Sequence, residues 1–320
     1  MLLSFFIFII ILFLYLHIQE QYKKSEDLEI YEMDYTSNDH LQTVCAMKQP
    51  VLFEFFLQDG LKGSPREKIN AVADDNAEVK VWDTNDYYTG ATCSVDAILL
   101  TQRSFTNLAK SDPKGRYFGR WDQDPDSDDF DVFKDMDSFF CPKLCANSGY
   151  SLMSGASGAK LPLSYHTNDR VYLFVTSGKI SVKMTPWRSR KYINTIKDYD
   201  NYEFYSRMNP WTQVSSGESD KIKWLNFEVN AGHVLYIPPW WWYSIKFSST
   251  DTRVASFKYQ TYSNLLAHTF DIGRYYFQFH TTKRVVARTL VLEDESVEFS
   301  SDEKGIEDVH KEPIESTNSV

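Results

Sequence analysis

Cysteine is scarce in this chain, with four in 320 residues (Cys45, Cys93, Cys141 and Cys145), and there is no surplus of basic charge. Four thiols are too few for a disulfide-stapled minidomain. Cys141 and Cys145 stand close together in CPKLC with no second Cys/His pair nearby. That excludes a zinc site of ordinary spacing and favours free thiols, with a Cys141–Cys145 disulfide as the alternative. Lys and Arg number 34 against 44 Asp and Glu, and no basic face is evident, so no nucleic-acid partner is expected. There is no Asn-x-Ser/Thr acceptor and no internal repeat. Much of the net charge of −10 sits in residues 291–320, where ten acids face only Lys304 and Lys311.

What the chain does have is aromatic and apolar residues. Aromatics make up 16% of it, which leans towards a β-rich fold large enough to bury a full core. Residues 2–18, LLSFFIFIIILFLYLHI, carry no charge. As a helix this run spans roughly 26 Å, near the lower limit for crossing a bilayer. No basic segment precedes it and no small-residue cleavage pattern follows. The expectation is an uncleaved single-pass anchor over residues 1–18, with membrane localisation. Lys23 and Lys24, after the run, favour a cytosolic body.

A polar linker is expected over 19–30, then a short helix over 39–48 with Asp39 as its cap. VLFEFF (51–56) and VKVWD (79–83) read as strands, and SVDAILLTQRSFTNLA (94–109) has helical apolar spacing. In WDQDPDSDDFDVF (121–133) the acids imitate the start of a calcium loop, but Ser127 and Phe133 occupy the positions that need Gly and Glu. A solvated loop is the expectation there. From 161 to 260 come RVYLFVTSG (170–178), KISVKMTP (179–186), KIKWLNFEV (221–229), HVLYIPP (233–239), WYSIKFS (242–248) and RVASFKYQT (253–261). Short strands at this spacing indicate an antiparallel sandwich or barrel. Helical period returns over 263–290, and the acidic residues 291–320 lack the apolar content to pack.

Two segments carry a resemblance: PLSYHTNDRVYLFVTSGKISVKMTPW (162–187) and VNAGHVLYIPPWWWYSIKF (229–247). With DYDNYEFYS (198–206) they resemble the cupin-like, JmjC-type family, closest to the cupin-like membrane proteins of large DNA viruses. The resemblance implies a double-stranded β-helix (cupin or jelly-roll) with flanking helices over residues 31–262. It also implies a virion or host-membrane location, protein partners, and a homodimer through the C-terminal helical segment. Active members bind Fe(II) with a His-x-Asp pair and a distant His, leaving positions for 2-oxoglutarate and O₂. Here His166 fills the first position, but Asn168 stands where the acid belongs and Tyr243 where the second His belongs. The family's lysine position falls at Ile180, with Lys179 on the opposite face, and Pro-Gly-Asp is replaced by Ala231-Gly232-His233. Counting back from Gly178 gives Tyr165 and Thr167 instead, which is no better a ligand pair.

The expectation is therefore a membrane-anchored, non-catalytic structural or interaction domain with no catalytic residues, metal or cofactor. Its remnant pocket would comprise His166, Asn168, Lys179, Trp242 and Tyr243. Two alternatives stay open. One is an Fe(II)/2-oxoglutarate-dependent hydroxylase using His166, Asp169 and Tyr243. The other is a small-ligand binding module that uses the pocket the lost triad leaves behind.

Overall fold

The computed structural model describes residues 2–55, 65–72, 75–90, 95–122, 131–212 and 219–281. Cys93, most of the acidic stretch 121–133 and the acidic residues 291–320 lie outside them. The chain opens with α1 (Leu2–Gln21), then β1 (Tyr31–Asp34), α2 (Asn38–Cys45), β2 (Val51–Glu54), α3 (Pro65–Val72), β3 (Glu78–Asp83) and α4 (Thr84–Thr89). Next are β4 (Ile98–Thr101), α5 (Gln102–Ser111), β5 (Tyr117–Asp122), α6 (Asp131–Asp135) and α7 (Asp137–Phe140). Then come β6 (Cys145–Gly155), β7 (Leu163–Tyr165), β8 (Arg170–Ser177), β9 (Lys179–Thr185), β10 (Ile196–Asp198), β11 (Glu203–Ser206) and β12 (Leu225–Asn230). The strands close with β13 (His233–Ile237), β14 (Trp242–Phe247) and β15 (Arg253–Thr261), before α8 (Tyr262–Ala267) and α9 (Thr269–Thr281).

The strands form two sheets. One has nine strands in the order β1-β2-β13-β8-β15-β6-β5-β3-β4, and the other six in the order β10-β11-β7-β14-β9-β12. Pairing is antiparallel apart from β1 beside β2. The protein is thus mainly β, with helices and one apolar N-terminal helix.

Side-chain alternation divides the core into three layers. From β8, Val171, Leu173 and Val175 pack between the sheets, joined by Ile180, Val182 and Met184 of β9. Tyr172 and Phe174 point the other way, into a layer shared with Leu41, Phe133 and Phe140 from the helices. Covered on both faces, β8 reads as an unbroken apolar run. A third, aromatic layer on the outside of the six-stranded sheet gathers Tyr165, Phe204 and Trp242 with Trp187 and Trp240.

Several boundaries differ from those expected. The residues expected as one helix from 94 split into β4 and α5, since Ile98–Thr101 pairs with β3 and Thr101 then caps α5 by accepting from the amide of Ser104. A three-residue apolar run fits either period, and pairing decided it. The cap of α2 is Ser37 rather than Asp39. The strand expected from Lys221 starts only at Leu225. The expected linker 19–30 is not free chain: α1 runs on to Gln21, whose residue is buried against α8.

Candidate functional site

A cavity of about 440 Å³ opens between the two sheets, with α8 and α9 forming one wall through Leu265, Ile272, Tyr275 and Tyr276. That volume lies in the ordinary range for small-molecule sites. The local pleat decides what enters it. Ser164 of β7 faces the cavity, and His166 and Asn168 follow on the same side. Tyr243 pairs with Ser164 across β7 and β14, which brings the His166 and Tyr243 rings to 6.1 Å between centroids, edge to face. Opposite, Ser256, Lys258 and Gln260 project from β15.

Two expected pocket residues lie elsewhere. Lys179 sits on the outer face of β9 and pairs in solvent with Glu228 at 3.0 Å, because Ile180 takes the inward position. Trp242 lies in the outer aromatic layer, one pleat step from Tyr243. The consecutive aromatics thus separate: Trp241 packs between the sheets, Trp242 outside them, and Tyr243 lines the cavity. Trp240 adopts a left-handed backbone (φ 70°) and donates its amide to the His166 carbonyl at 3.0 Å. Its ring lies over the Lys24 ammonium at 4.7 Å and against His268.

Asp169, one of the expected iron ligands, also turns away. Its carboxylate is buried 2.8 Å from both Lys48 Nζ and Arg170 Nη1. Burial raises its pKa, but the two cations outweigh that and hold it below the usual carboxylate range. The hydroxylase ligand set is therefore not assembled. What converges is one imidazole, one neutral amide and one phenol. Burial pushes Tyr243 up to about 12, against a hydrogen bond with Ser164, so it is protonated at neutral pH. One neutral imidazole with an amide and a phenol does not fit ferrous iron, whose common facial site has two imidazoles and a carboxylate.

His166 stands out within the cavity. Both ring nitrogens are shielded from solvent and neither has a hydrogen bond of acceptable geometry. Burial first, then repulsion from Lys258, pushes its pKa down to about 3, while the backbone near Ile237 and Asn168 opposes the shift. The imidazole is neutral, with the Ile237 and Asn168 backbone as its nearest polar neighbours. Buried polar atoms without partners are costly.

The sequence reading missed the charged side of the cavity. Arg120 of β5 reaches Glu203 of β11 at 3.1 Å and Asp122 at 2.7 Å, while Lys80 holds Asp122 at 3.1 Å. The Tyr87 hydroxyl donates to Glu203 at 3.3 Å. Both carboxylates are thus occupied, and Lys258 makes no ion pair among the described residues. Burial and repulsion by Arg120 lower its pKa, partly offset by Asp122 and Glu203. The described lining therefore carries two cations, Arg120 and Lys258, against one carboxylate, Glu203. Alternation along RVASFKYQT was the available signal, since Ser256, Lys258 and Gln260 alternate with the apolar Ala255, Phe257 and Tyr259 of the opposite face.

The remaining thiols are free: Cys45 is buried, and Cys141 and Cys145 are half-buried. Burial raises the Cys141 pKa to about 12, so it is unreactive as a nucleophile. Neither a scan against models of known protein families nor a search of curated proteins finds a match to this chain.

Proposed function

We propose that the chain is a membrane-tethered double-stranded β-helix domain that binds a small anionic organic ligand in its central cavity, without oxygenase chemistry. The strand orders support the β-helix reading. Within the larger sheet β13-β8-β15-β6 lie adjacent, and within the smaller β7-β14-β9-β12, so the chain alternates between two four-stranded layers except from β9 to β12, both in the smaller. The tether reading rests on α1, whose 18-residue apolar window has a mean hydropathy of 2.4 and is not buried, although its end at Gln21 is.

The observation that carries the ligand reading is Lys258, a cation inside the cavity whose neighbouring carboxylates are already bonded to Arg120 and Lys80. An anion between Lys258 and His166 would accept from the ammonium and from the one N–H that a neutral imidazole carries. Desolvated cations favour charge-assisted hydrogen bonds of this kind. The test is calorimetric titration of the full chain in detergent and chelator with mono- and dicarboxylates and phosphate esters. Saturable binding that is lost in Lys258→Met, with the fold retained by circular dichroism, is expected. Absence of binding across the panel, or stabilisation that needs Fe(II) and accompanies conversion of 2-oxoglutarate to succinate, would overturn it.

A further inference from the structure

The polar end of α1 does not leave the domain. Asn264 of α8, buried, donates through Nδ2 to the Gln21 side-chain oxygen at 3.2 Å and to the Thr167 carbonyl at 2.9 Å. The Gln21 amide donates to Ser263 at 3.3 Å, the Tyr22 hydroxyl donates to the Ala267 carbonyl, and Lys24 is held over Trp187 and Trp240. A helix of this length spans about 30 Å, the thickness of a bilayer core. Its end therefore falls at the membrane–water boundary, and α8 is hydrogen-bonded to that end.

Beside this joint lies an exposed apolar stripe. Tyr262, Leu266, Phe270 and Phe277 recur at helical spacing along α8 and α9, and their exposures are 62%, 54%, 89% and 77%. Four large apolar side chains on two consecutive helices, this open to solvent, are unusual for a domain surrounded only by water. Exposed basic residues stand around the same exit: Lys23 and Arg188, paired with Glu20 and Glu26, and Arg190, with Arg274 on α9 itself. Arg190 acts electrostatically on Lys24, so this group adjoins the anchor. An amphipathic helix with aromatic anchors and basic neighbours is the form that lies in a bilayer interface.

We infer that the Tyr262–Phe277 stripe of α8 and α9 is seated in the headgroup layer of the membrane that α1 crosses, and that it favours anionic lipid. The occupant of the stripe is the lipid surface. Because the inner faces of α8 and α9 wall the cavity, seating them brings the cavity wall against the bilayer. The inference rests on the tether reading, and the test separates the two.

The full chain, with Cys93, Cys141 and Cys145 changed to Ser, is placed in vesicles of phosphatidylcholine with phosphatidylserine. Single bimane labels go on Phe270→Cys, Phe277→Cys, Ile10→Cys and, on the exposed face of β12, Asn226→Cys. The expected result is strong quenching by shallow nitroxide lipid at Phe270→Cys and Phe277→Cys, with iodide quenching several-fold weaker than at Asn226→Cys. A smaller contrast without phosphatidylserine is also expected. Iodide access at both phenylalanine positions, with lipid quenching retained at Ile10→Cys, would overturn the seating and leave the tether. Iodide access at Ile10→Cys would overturn both. Shielding of the two positions from iodide and from nitroxide lipid alike would assign the stripe to a second copy and overturn the inference.

Discussion

The Lys48 ammonium lies 2.8 Å from the Asp169 carboxylate, with the two side chains only 4% and 7% exposed. Arg170 completes the arrangement, sharing Asp169 and donating through Nε to Gln42 at 2.9 Å. Lys48 sits just after α2, with a left-handed backbone (φ 59°), and so ties the N-terminal helical layer to the start of β8. The group is structural and stands outside the cavity.

Removing one partner leaves an uncompensated buried charge. Lys48→Met is expected to cost about 3–5 kcal/mol in chemical denaturation, more than an exposed pair such as Lys179–Glu228, worth about 0–1 kcal/mol. The acid limb follows from the sign of the Asp169 shift. Its folded pKa lies below the usual 3.8, so its contribution is complete above the unfolded pKa and is lost as pH falls through the lower, folded value. Lys48 is shifted down as well, by burial, which weakens the pair only towards alkaline pH. Melting temperature recorded from pH 6 down to about 2 in wild type and Asp169→Asn checks this: the acid loss should be shallower in the variant.

The hairpin between β8 and β9 depends on Gly178. Its φ is 68°, and a Cβ there would stand 2.5 Å from Thr252 Oγ1 and 3.0 Å from Thr252 Cα. Gly178→Ala is therefore expected to destabilise the domain by more than about 1 kcal/mol, through both backbone and contact. Gly149→Ala, which meets nothing within 4 Å, is the comparison, and urea midpoints of the two variants separate the effects.

The donor set next to His166 can be altered directly. In Asn168→Asp/Tyr243→His the carboxylate and the second imidazole return to positions on the cavity side of the chain, with the ring at 243 already 6.1 Å from His166. The double variant is expected to bind Co(II) or Mn(II) near stoichiometry, with a raised melting temperature that reverses on adding His166→Ala. Wild type should show no such shift. An equal response in both proteins would mean that the convergence of these positions has been misread.

Much of this was legible in the sequence, because the strands from β8 onward have one pleated face against each core layer. RVYLFVTS, KISVKMT and RVASFKYQT fall where period and turn glycines place them. His166, Asn168 and Tyr243 reach one cavity because neighbouring strands bring them together. Lys179 and Trp242 fail for one reason: each is one residue away from an inward position, and a single step reverses the face. Arg120, Glu203 and Lys258 were not legible as a group, since they come from three distant strands and only their pairing unites them. Docking of Gln21 was equally hidden, because its partner Asn264 is separated from it by almost the whole domain.

That separation sets an order of events during synthesis. The apolar helix emerges from the ribosome first, whereas Asn264 and its neighbours in α8 follow the last strand of the domain. Until then Gln21 and Tyr22 lack their side-chain partners on α8, and only the contacts of this segment with Trp187 and Trp240 can form. On the tether reading, α1 is therefore in the bilayer before the domain closes. The joint with α8 locks only after β15 has been made, so a chain truncated before Tyr262 would carry the apolar helix without its hydrogen bonds to α8.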